Sequence, residues 1–372
     1  MKPAPIAMKI NDLETPVPVV DLDVMERNLD RMASYTTRHH LGLRPHIKTH
    51  KSPRVSSEQL RRGAIGLTCA TTHEAEVMAA LTDDVLVAYP PVGSARLHRL
   101  MSLPSRVRLM VALDSGEAIE GLAAAAKEAN RPVRVLVECD LGMHRVGVTS
   151  IDEAIRLARL IKDRPPLEFA GVTFYPGHIR SGLADQQEPL AKLNGDVATW
   201  LGAFAKAGLK PAIVSGGSTP TAFQAHEIAG LTEIRPGTYV YNDREIVSTG
   251  AAGREDCAFT VVATIISTAV AGQAVCDAGC KALGREPIRV GAGAGFGELL
   301  EHPEVTVKGM SEEHGILDLS ETTWQPKVGD RVRIIPNHVC IVTHLNDVIH
   351  GVRGDQVETS WPVAARGRTA LA

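Results

Sequence analysis

The sequence predicts a (β/α)8 TIM-type barrel followed by an antiparallel β domain. Three observations predict it. The first two-thirds alternates short apolar runs with amphipathic stretches, at intervals of roughly 20–40 residues, the signature of βα units and a parallel sheet. After residue 245 the texture becomes β-rich and turn-separated. The chain has 372 residues, more than a single core usually supports.

The runs fall in order. VPVV (17–20) is a short β-branched run, and Asp21 or Asp23 is placed to cap a helix carrying Met25, Leu29 and Met32,. LRPHIK (43–48), IGLTCA (65–70), VLVAYP (85–90), VRLMVAL (107–113), VRVLVEC (133–139), FAGVTFY (169–175) and AIVSGG (212–217) read as buried strands. Between them HEAEVMAAL, GEAIEGLAAAAKEA, IDEAIRLARLI and LAKLNGDVATWLGAFAKAG have helical composition and period,. Roughly eight such units fit before residue 245, which favours a barrel over a doubly wound sheet. AFTVVATIISTAV, QAVCDAG, PIRVGAG, EVTVKGM, GILDLS, RVRIIPNHV and DQVETSW then read as strands,. The barrel is expected over residues 16–246 and the β domain over 247–372 with 1–15. Gly250–Gly253 is the expected loose connection.

A hydrophobic content of 44%, a charged content of 22% and a net charge of −3 give no electrostatic reason to expect nucleic-acid or membrane partners. Neither end carries a secretory signal and no stretch approaches a membrane span, so the cytoplasm is the expected location. The six cysteines are scattered, and most are expected to be reduced, buried and apolar,.

Barrel active sites sit at the C-terminal ends of the strands. His46, Lys48, Thr49 and His50 fall at such an end, as do Glu138, Asp140, His144 and Arg145, then Tyr175, Gly177 and His178, then Ser215–Thr219, then Arg235–Tyr241. SGGST and RPGTY are late turns rich in glycine and hydroxyls, able to hold a phosphate through backbone N–H groups. Lys48, at an early strand end, is placed to form a Schiff base, with His46, His50 or Lys51 as neighbouring cations that would free its amine. With Arg145 able to face a phenolic oxygen, the set points to pyridoxal phosphate. In NHVC (337–340), His338 and Cys340 alternate on an expected strand and so face one way. The residues alone leave two readings open: a divalent-metal pair, or a buried histidine beside a buried cysteine.

TPVPVVDLDVMERNLDRM, RPHIKTHK, VECDLGMHRVGV, FYPGH, SGGSTPT, RPGTYVYND, PNHVC and WPVAARGR together resemble the D-threonine aldolase and D-serine dehydratase family, pyridoxal-phosphate enzymes with an alanine-racemase-like barrel. The likeness spans about residues 15–368. It implies that Lys48 rather than Lys51 carries the cofactor, that Arg145 contacts its 3-oxygen side, and that Tyr175 lies near the pyridine nitrogen. Ser218, Thr219, Gly237 and Thr238 would hold the phosphate. It also implies a divalent metal (zinc, manganese or magnesium) on His338 and Cys340, with the cysteine favouring zinc.

The expected activity is cleavage of D-β-hydroxy-α-amino acids, with His178 a candidate base. Dehydration of D-serine or 3-hydroxyaspartate is the alternative. A racemase would want a second proton-transfer residue, often a tyrosine of the β domain, and no tyrosine follows Tyr241. A non-catalytic cofactor-binding protein would need only the barrel. A small amino acid is the expected partner, and the resemblance implies a homodimer.

Overall fold

The computed structural model describes residues 8–288 and 295–367. The chain divides into two compact units, residues 31–237 with 365–372, and residues 1–30 with 238–364. β1 (Val17–Asp21) leads into α1 (Leu22–Arg38), and the division falls within this helix. Then follow β2 (Gly42–Leu43), α2 (Pro53–Arg61), β3 (Leu67–Cys69), α3 (Thr72–Met78), β4 (Asp84–Val87), α4 (Ser94–Met101), β5 (Arg108–Leu113) and α5 (Gly116–Glu128). β6 (Val133–Glu138), α6 (Ile151–Lys162), β7 (Leu167–Thr173), α7 (Gln187–Lys206), β8 (Ile213–Gly216) and β9 (Glu233–Ile234) complete the first unit.

β2 to β9 form one eight-stranded parallel sheet in the order β2-β9-β8-β7-β6-β5-β4-β3. The two ends meet where His46 bridges Thr68 in parallel. There Ile65 N donates to Leu43 O (2.8 Å), Thr68 N to Pro45 O (2.9 Å) and Thr68 Oγ1 to Arg44 O (2.9 Å). The sheet is therefore a closed barrel. Its helices begin where side chains accept from the backbone three residues on, at Thr71, Ser115 and Ser150,. α6 shows why each packs on the strands: Ala154, Leu157, Ala158 and Ile161 bury one stripe at helical spacing,.

Charge runs through the barrel interior as well. Arg44 Nε donates to both oxygens of Glu233 (2.9 and 3.0 Å), and its Nη1 donates to Asp84 Oδ1 (2.5 Å). Arg134 and Arg108 reach Asp84 Oδ2 at 3.0 and 3.1 Å. Gly66 makes room for this arginine, because a Cβ there would collide with Arg44 Nη1 and lie 2.7 Å from the Asp84 carbonyl.

The second unit continues with α8 (Arg244–Ser248), β10 (Phe259–Ser267), β11 (Gln273–Cys276), α9 (Cys280–Leu283), β12 (Gly297–Leu299), β13 (Val307–Met310) and β14 (Gly315–Asp318). β15 (Arg331–Pro336), α10 (Val339–Leu345), β16 (Val348–Arg353) and β17 (Gln356–Pro362) end it. Its nine-stranded sheet runs β13-β14-β11-β10-β1-β16-β17, with β15 joining β10 to β12. Among the described residues every pairing in it is antiparallel except β1 with β16.

Two expectations change. VPVV is not a barrel strand: Val17–Val20 pair with Val262–Phe259 on one side, and Val19–Asp21 with His350–Val352 on the other. A short apolar run does not announce which sheet it joins. The eighth barrel strand is instead Glu233–Ile234. The stretch expected to be a loose connection is not one, since Ala251 and Ala252 are buried against Ile246. Residues 289–293 of PIRVGAG lie outside the described residues. All six cysteines are free of disulfides, and Cys69, Cys139, Cys257 and Cys276 are buried. Among the described residues no helix is long and apolar enough to cross a membrane.

Replacing Arg44 would leave Glu233 and Asp84 buried without their shared cation. Arg44→Met should lower the unfolding free energy by about 3–5 kcal/mol, read from the shift in urea midpoint followed by circular dichroism.

Candidate active site

RPHIKTHK begins at the barrel seam. After β2 the chain forms a single 3-10 turn, Ile47–Thr49, whose first N–H groups face the His46 side chain. Burial pushes the His46 imidazole well below its ordinary value, and Lys48, Arg235, Lys51 and His50 push it further. His50 is buried too and falls to about 3, with Lys51 adding to the effect against hydrogen bonds to Gln59 and Ser52. Its Nδ1 accepts from Ser52 N (3.2 Å), so Nε2 carries the proton toward Gln59 Oε1 (3.2 Å),. Lys51 is 8% exposed and its Nζ is ion-paired to the buried carboxylate of Glu74.

Two of the three expected neighbouring cations, His46 and His50, are therefore uncharged. Both histidines are neutral at pH 7, Lys51 is matched by Glu74, and Arg44 by Glu233 and Asp84. Among the described residues Lys48 is the one cation of the stretch with no carboxylate partner. It is half-buried, with Nζ 5.6 Å from the centre of the Tyr175 ring. The Arg145 guanidinium lies 4.8 Å from the same ring. Lys48, Arg145 and Tyr175 thus come together from the ends of β2, β6 and β7.

The loop carrying Arg145 is held by carboxylates. Asp140 Oδ1 accepts from Gly142 N and His144 N, both at 3.0 Å, and Asp114 Oδ2 from Gly147 N at 2.9 Å. Burial raises the Asp140 carboxyl, but the two backbone donors and His144 bring it below the ordinary range. His178 rests on this loop. Gly142 has φ +114°, and a Cβ there would lie 2.9 Å from His178 Nε2, so only glycine serves both the backbone and the packing. Desolvation lowers His178 below its ordinary value while Asp140 opposes the shift, which leaves the ring neutral and able to accept a proton.

The late turns take their expected places. Gly217 has φ +87°, and buried Ser218 follows it with Oγ 3.1 Å from Thr221 Oγ1; Thr219 is buried beside it. Gly237 is pressed against the lysine turn. His46 N donates to Pro236 O (3.0 Å), and a Cβ on Gly237 would fall 2.8 Å from the His46 carbonyl and 2.9 Å from Thr49 Oγ1. This glycine cradle, two hydroxyls after a left-handed glycine and a lysine amine fit a phosphate-bearing aldehyde. Thr238, next in the chain, belongs to the second unit, where its Oγ1 lies 3.9 Å from Cys340 Sγ.

His338 and Cys340 are not on a strand, contrary to expectation. β15 stops at Pro336, His338 caps α10, and Cys340 lies in its first turn. Asn337 turns the chain there, accepting from Arg244 Nη1 (2.7 Å) and donating to Glu286 O and Gly295 O (2.9 and 2.8 Å). The pair still meets, because Asp243 fixes both. One Asp243 oxygen accepts from Ile246 N; the other accepts from Val339 N (2.9 Å) and lies 3.2 Å from His338 Nδ1. The Cys340 thiolate above all, then hydrogen bonds to Asp243 and Cys340, outweigh desolvation and push the His338 imidazolium up to about 12.

With Nδ1 on a carboxylate, the His338 Nε2 is oriented as in metal-binding histidines. Among the described residues no group of three or more His, Cys, Asp or Glu side chains gathers as a metal cluster. The donor set is therefore a two-ligand one that fits a divalent metal with open positions. Sequence reading missed Asp243, although it stands in the quoted YND, and gave no role to Glu74 or Arg235.

An early lysine and late glycine- and hydroxyl-bearing turns on one rim of a closed barrel are the arrangement of a lysine-bearing barrel enzyme of the phosphate-cofactor class. Two family models match the chain: that of the alanine racemase N-terminal domain over residues 20–245, and that of a serine dehydratase domain over 258–352. The chain belongs to the alanine racemase N-terminal domain family. It is 35% identical over 350 residues to D-threo-3-hydroxyaspartate dehydratase of Delftia sp. (strain HT23), covering 88% of this chain and 91% of that one. The crystal structure of D-threonine aldolase from Filomicrobium marinum aligns with a TM-score of 0.89 at 33% identity, over 98% of this chain and 99% of that one. A cysteine-to-alanine mutant of D-threo-3-hydroxyaspartate dehydratase, described in its metal-free form, aligns with a TM-score of 0.87 at 31% identity, over 97% and 100%.

Reductive methylation of the protein without cofactor should label Lys48 well before Lys51. Peptide mapping by mass spectrometry reads the order, and equal labelling would contradict the ion pair with Glu74.

Proposed function

We propose that this chain is a pyridoxal-phosphate- and divalent-metal-dependent lyase acting on D-β-hydroxy-α-amino acids, releasing glycine and an aldehyde. The observation that carries the reading is Lys48, the one uncompensated amine of its stretch, set beside Tyr175 and Arg145 on the rim of a barrel whose late turns can hold phosphate. The whole-length likeness to D-threonine aldolase supports the reaction type.

Lys48 would hold the cofactor, with Arg145 on its 3-oxygen side and Tyr175 beside the pyridine nitrogen. Ser218, Thr219, Gly237 and Thr238 would hold its phosphate. His338 and Cys340 would hold the metal, a role supported by the metal-free description of the cysteine mutant of the dehydratase. The bound cofactor supplies an electron sink at the substrate's Cα, and the bound cation supplies Lewis acidity toward a hydroxyl. His178, neutral and propped on Gly142, takes the β-hydroxyl proton on a ring nitrogen as the Cα–Cβ bond opens. Tyr175, a neutral phenol rather than a carboxylate beside the pyridine nitrogen, moderates the charge that nitrogen can take up.

Dehydration is the second reading, favoured by the cysteine in the metal pair and by the 35% identity to a dehydratase. There the Lys48 amine would take the Cα proton and the β-hydroxyl would leave. The family resemblance further supports a cytoplasmic homodimer.

Incubation with pyridoxal phosphate, a divalent metal and D-threonine, D-serine or D-3-hydroxyaspartate separates the readings. Glycine plus an aldehyde or glyoxylate is expected; pyruvate or oxaloacetate with ammonia would establish the dehydratase, and no turnover of any would overturn both. Borohydride reduction should trap a covalent pyridoxyl adduct that Lys48→Ala abolishes and Lys51→Ala retains, as followed by absorbance and mass.

A further inference from the structure

Away from the candidate site, a ladder of side chains fastens α1 to the 3-10 segment Ala222–Glu227, which follows the SGGST turn. Arg31, Tyr35 and His39 stand four residues apart and lie along one side of the helix. His39 directly follows α1 and continues its pattern, its N donating to Tyr35 O (3.1 Å). Phe223 and His226 stand three apart and share one side of the tighter 3-10 turn. The Arg31 guanidinium sits 4.4 Å from the centre of the Phe223 ring. Tyr35 meets Phe223 edge-on with centroids 5.2 Å apart, and His39 stacks on His226 at 4.0 Å and 26°. All five residues belong to the first unit.

Tyr35 fixes the protonation state that this packing uses. It is buried, and its hydroxyl oxygen accepts from His226 N (3.1 Å) and lies 2.9 Å from His226 Nδ1. Among the described residues that ring nitrogen is the one acceptor for the phenol hydrogen, so Nδ1 carries no proton. A proton added there would turn the phenol hydrogen away from its acceptor. His39 is also held neutral. Desolvation lowers it below the ordinary imidazole value, and His226, Arg38 and His40 lower it further. The charged and titratable groups facing the rings are Arg31, Arg38 and His40 on the α1 side and Glu227 on the other. An added proton therefore meets more cations than carboxylates.

We propose that Tyr35, His39 and His226 form an acid-sensitive latch, which holds the 3-10 segment against α1 while both imidazoles are neutral and releases it when they take up protons. Two imidazoliums stacked at 4.0 Å repel, and the Tyr35 hydrogen bond to Nδ1 is lost at the same step. The direction follows from linkage. A base held neutral in the folded state contributes stability that is complete above its unfolded value and is lost as the pH falls through its folded one. The latch is closed at neutral pH and opens on the acid side. Release frees the stretch that leads out of the SGGST turn, where Ala222 N donates to Thr219 O (3.2 Å).

Hydrogen–deuterium exchange read by mass spectrometry tests this on the full chain, at about pH 7.5 and about pH 5.5, with rates corrected for the intrinsic pH dependence of exchange. In wild type the peptides covering residues 31–41 and 221–231 should exchange roughly tenfold faster at the lower pH. Residues 151–162 of α6 should keep their protection. His226→Gln keeps an acceptor for the phenol and His39→Phe keeps a stacked ring, but neither replacement titrates. Each should remove most of the pH dependence, even where it alters protection at neutral pH. Equal protection of both wild-type peptides at the two pH values would overturn the proposal. So would a dependence as large as that of wild type in both variants, which places the titrating group elsewhere. A loss of protection that extends to α6 would also overturn it, as general acid unfolding.

Discussion

The barrel closes on a strand of only two residues, and the placement of the candidate site depends on that closure. β2 is two residues long, too short to hold a sheet edge by its ladder alone. Arg44, directly after it, fastens the seam by reaching Glu233 on β9 and Asp84 on β4 at once. The bridge that completes the ring is made by His46, and two residues later the chain presents Lys48. The position of the Lys48 amine is therefore set by the closing geometry of the barrel, not by a flexible loop. The Pro236–Gly237 turn, held to His46 from the β9 side, is fixed by the same seam.

Buried charge is costly to desolvate, and a barrel interior is more often filled by branched apolar side chains. Here the cost is met by pairing in most places: Arg44 with two carboxylates, Lys51 with Glu74, Arg235 with two hydroxyls and a carbonyl. The neutral state of His46 and His50 follows from the same crowding, since a further positive charge beside Lys48, Lys51 and Arg235 is disfavoured. A cluster that reads as strongly basic in sequence is in fact nearly compensated, and this compensation makes the amine of Lys48 distinct from its neighbours.

Much of this was legible in the sequence, for physical reasons. Strand and helix periods located the barrel elements because buried parallel strands are continuous apolar runs. Strand-end polarity located Lys48, Arg145, Tyr175 and the late turns because barrel sites form at one rim. Pairing partners were not legible. VPVV went to the other sheet because the run itself carries no record of β10 or β16. The histidine and cysteine of NHVC were read as strand alternation, whereas a capped helix turn and Asp243 bring them together. The state of Lys51 depended on Glu74, 23 residues away.

The second unit draws on both ends of the chain: β1 lies between β10 and β16, whose residues come more than 230 positions later. During synthesis the whole barrel emerges before β1 can find either neighbour. Until then the VPVV strand is an unsatisfied edge, the kind of segment that invites pairing with other chains. The short strand and its second residue Pro18, which cannot donate to a ladder, blunt that hazard,. The order in which the ribosome delivers the chain thus favours a barrel that forms alone and a β unit that assembles last.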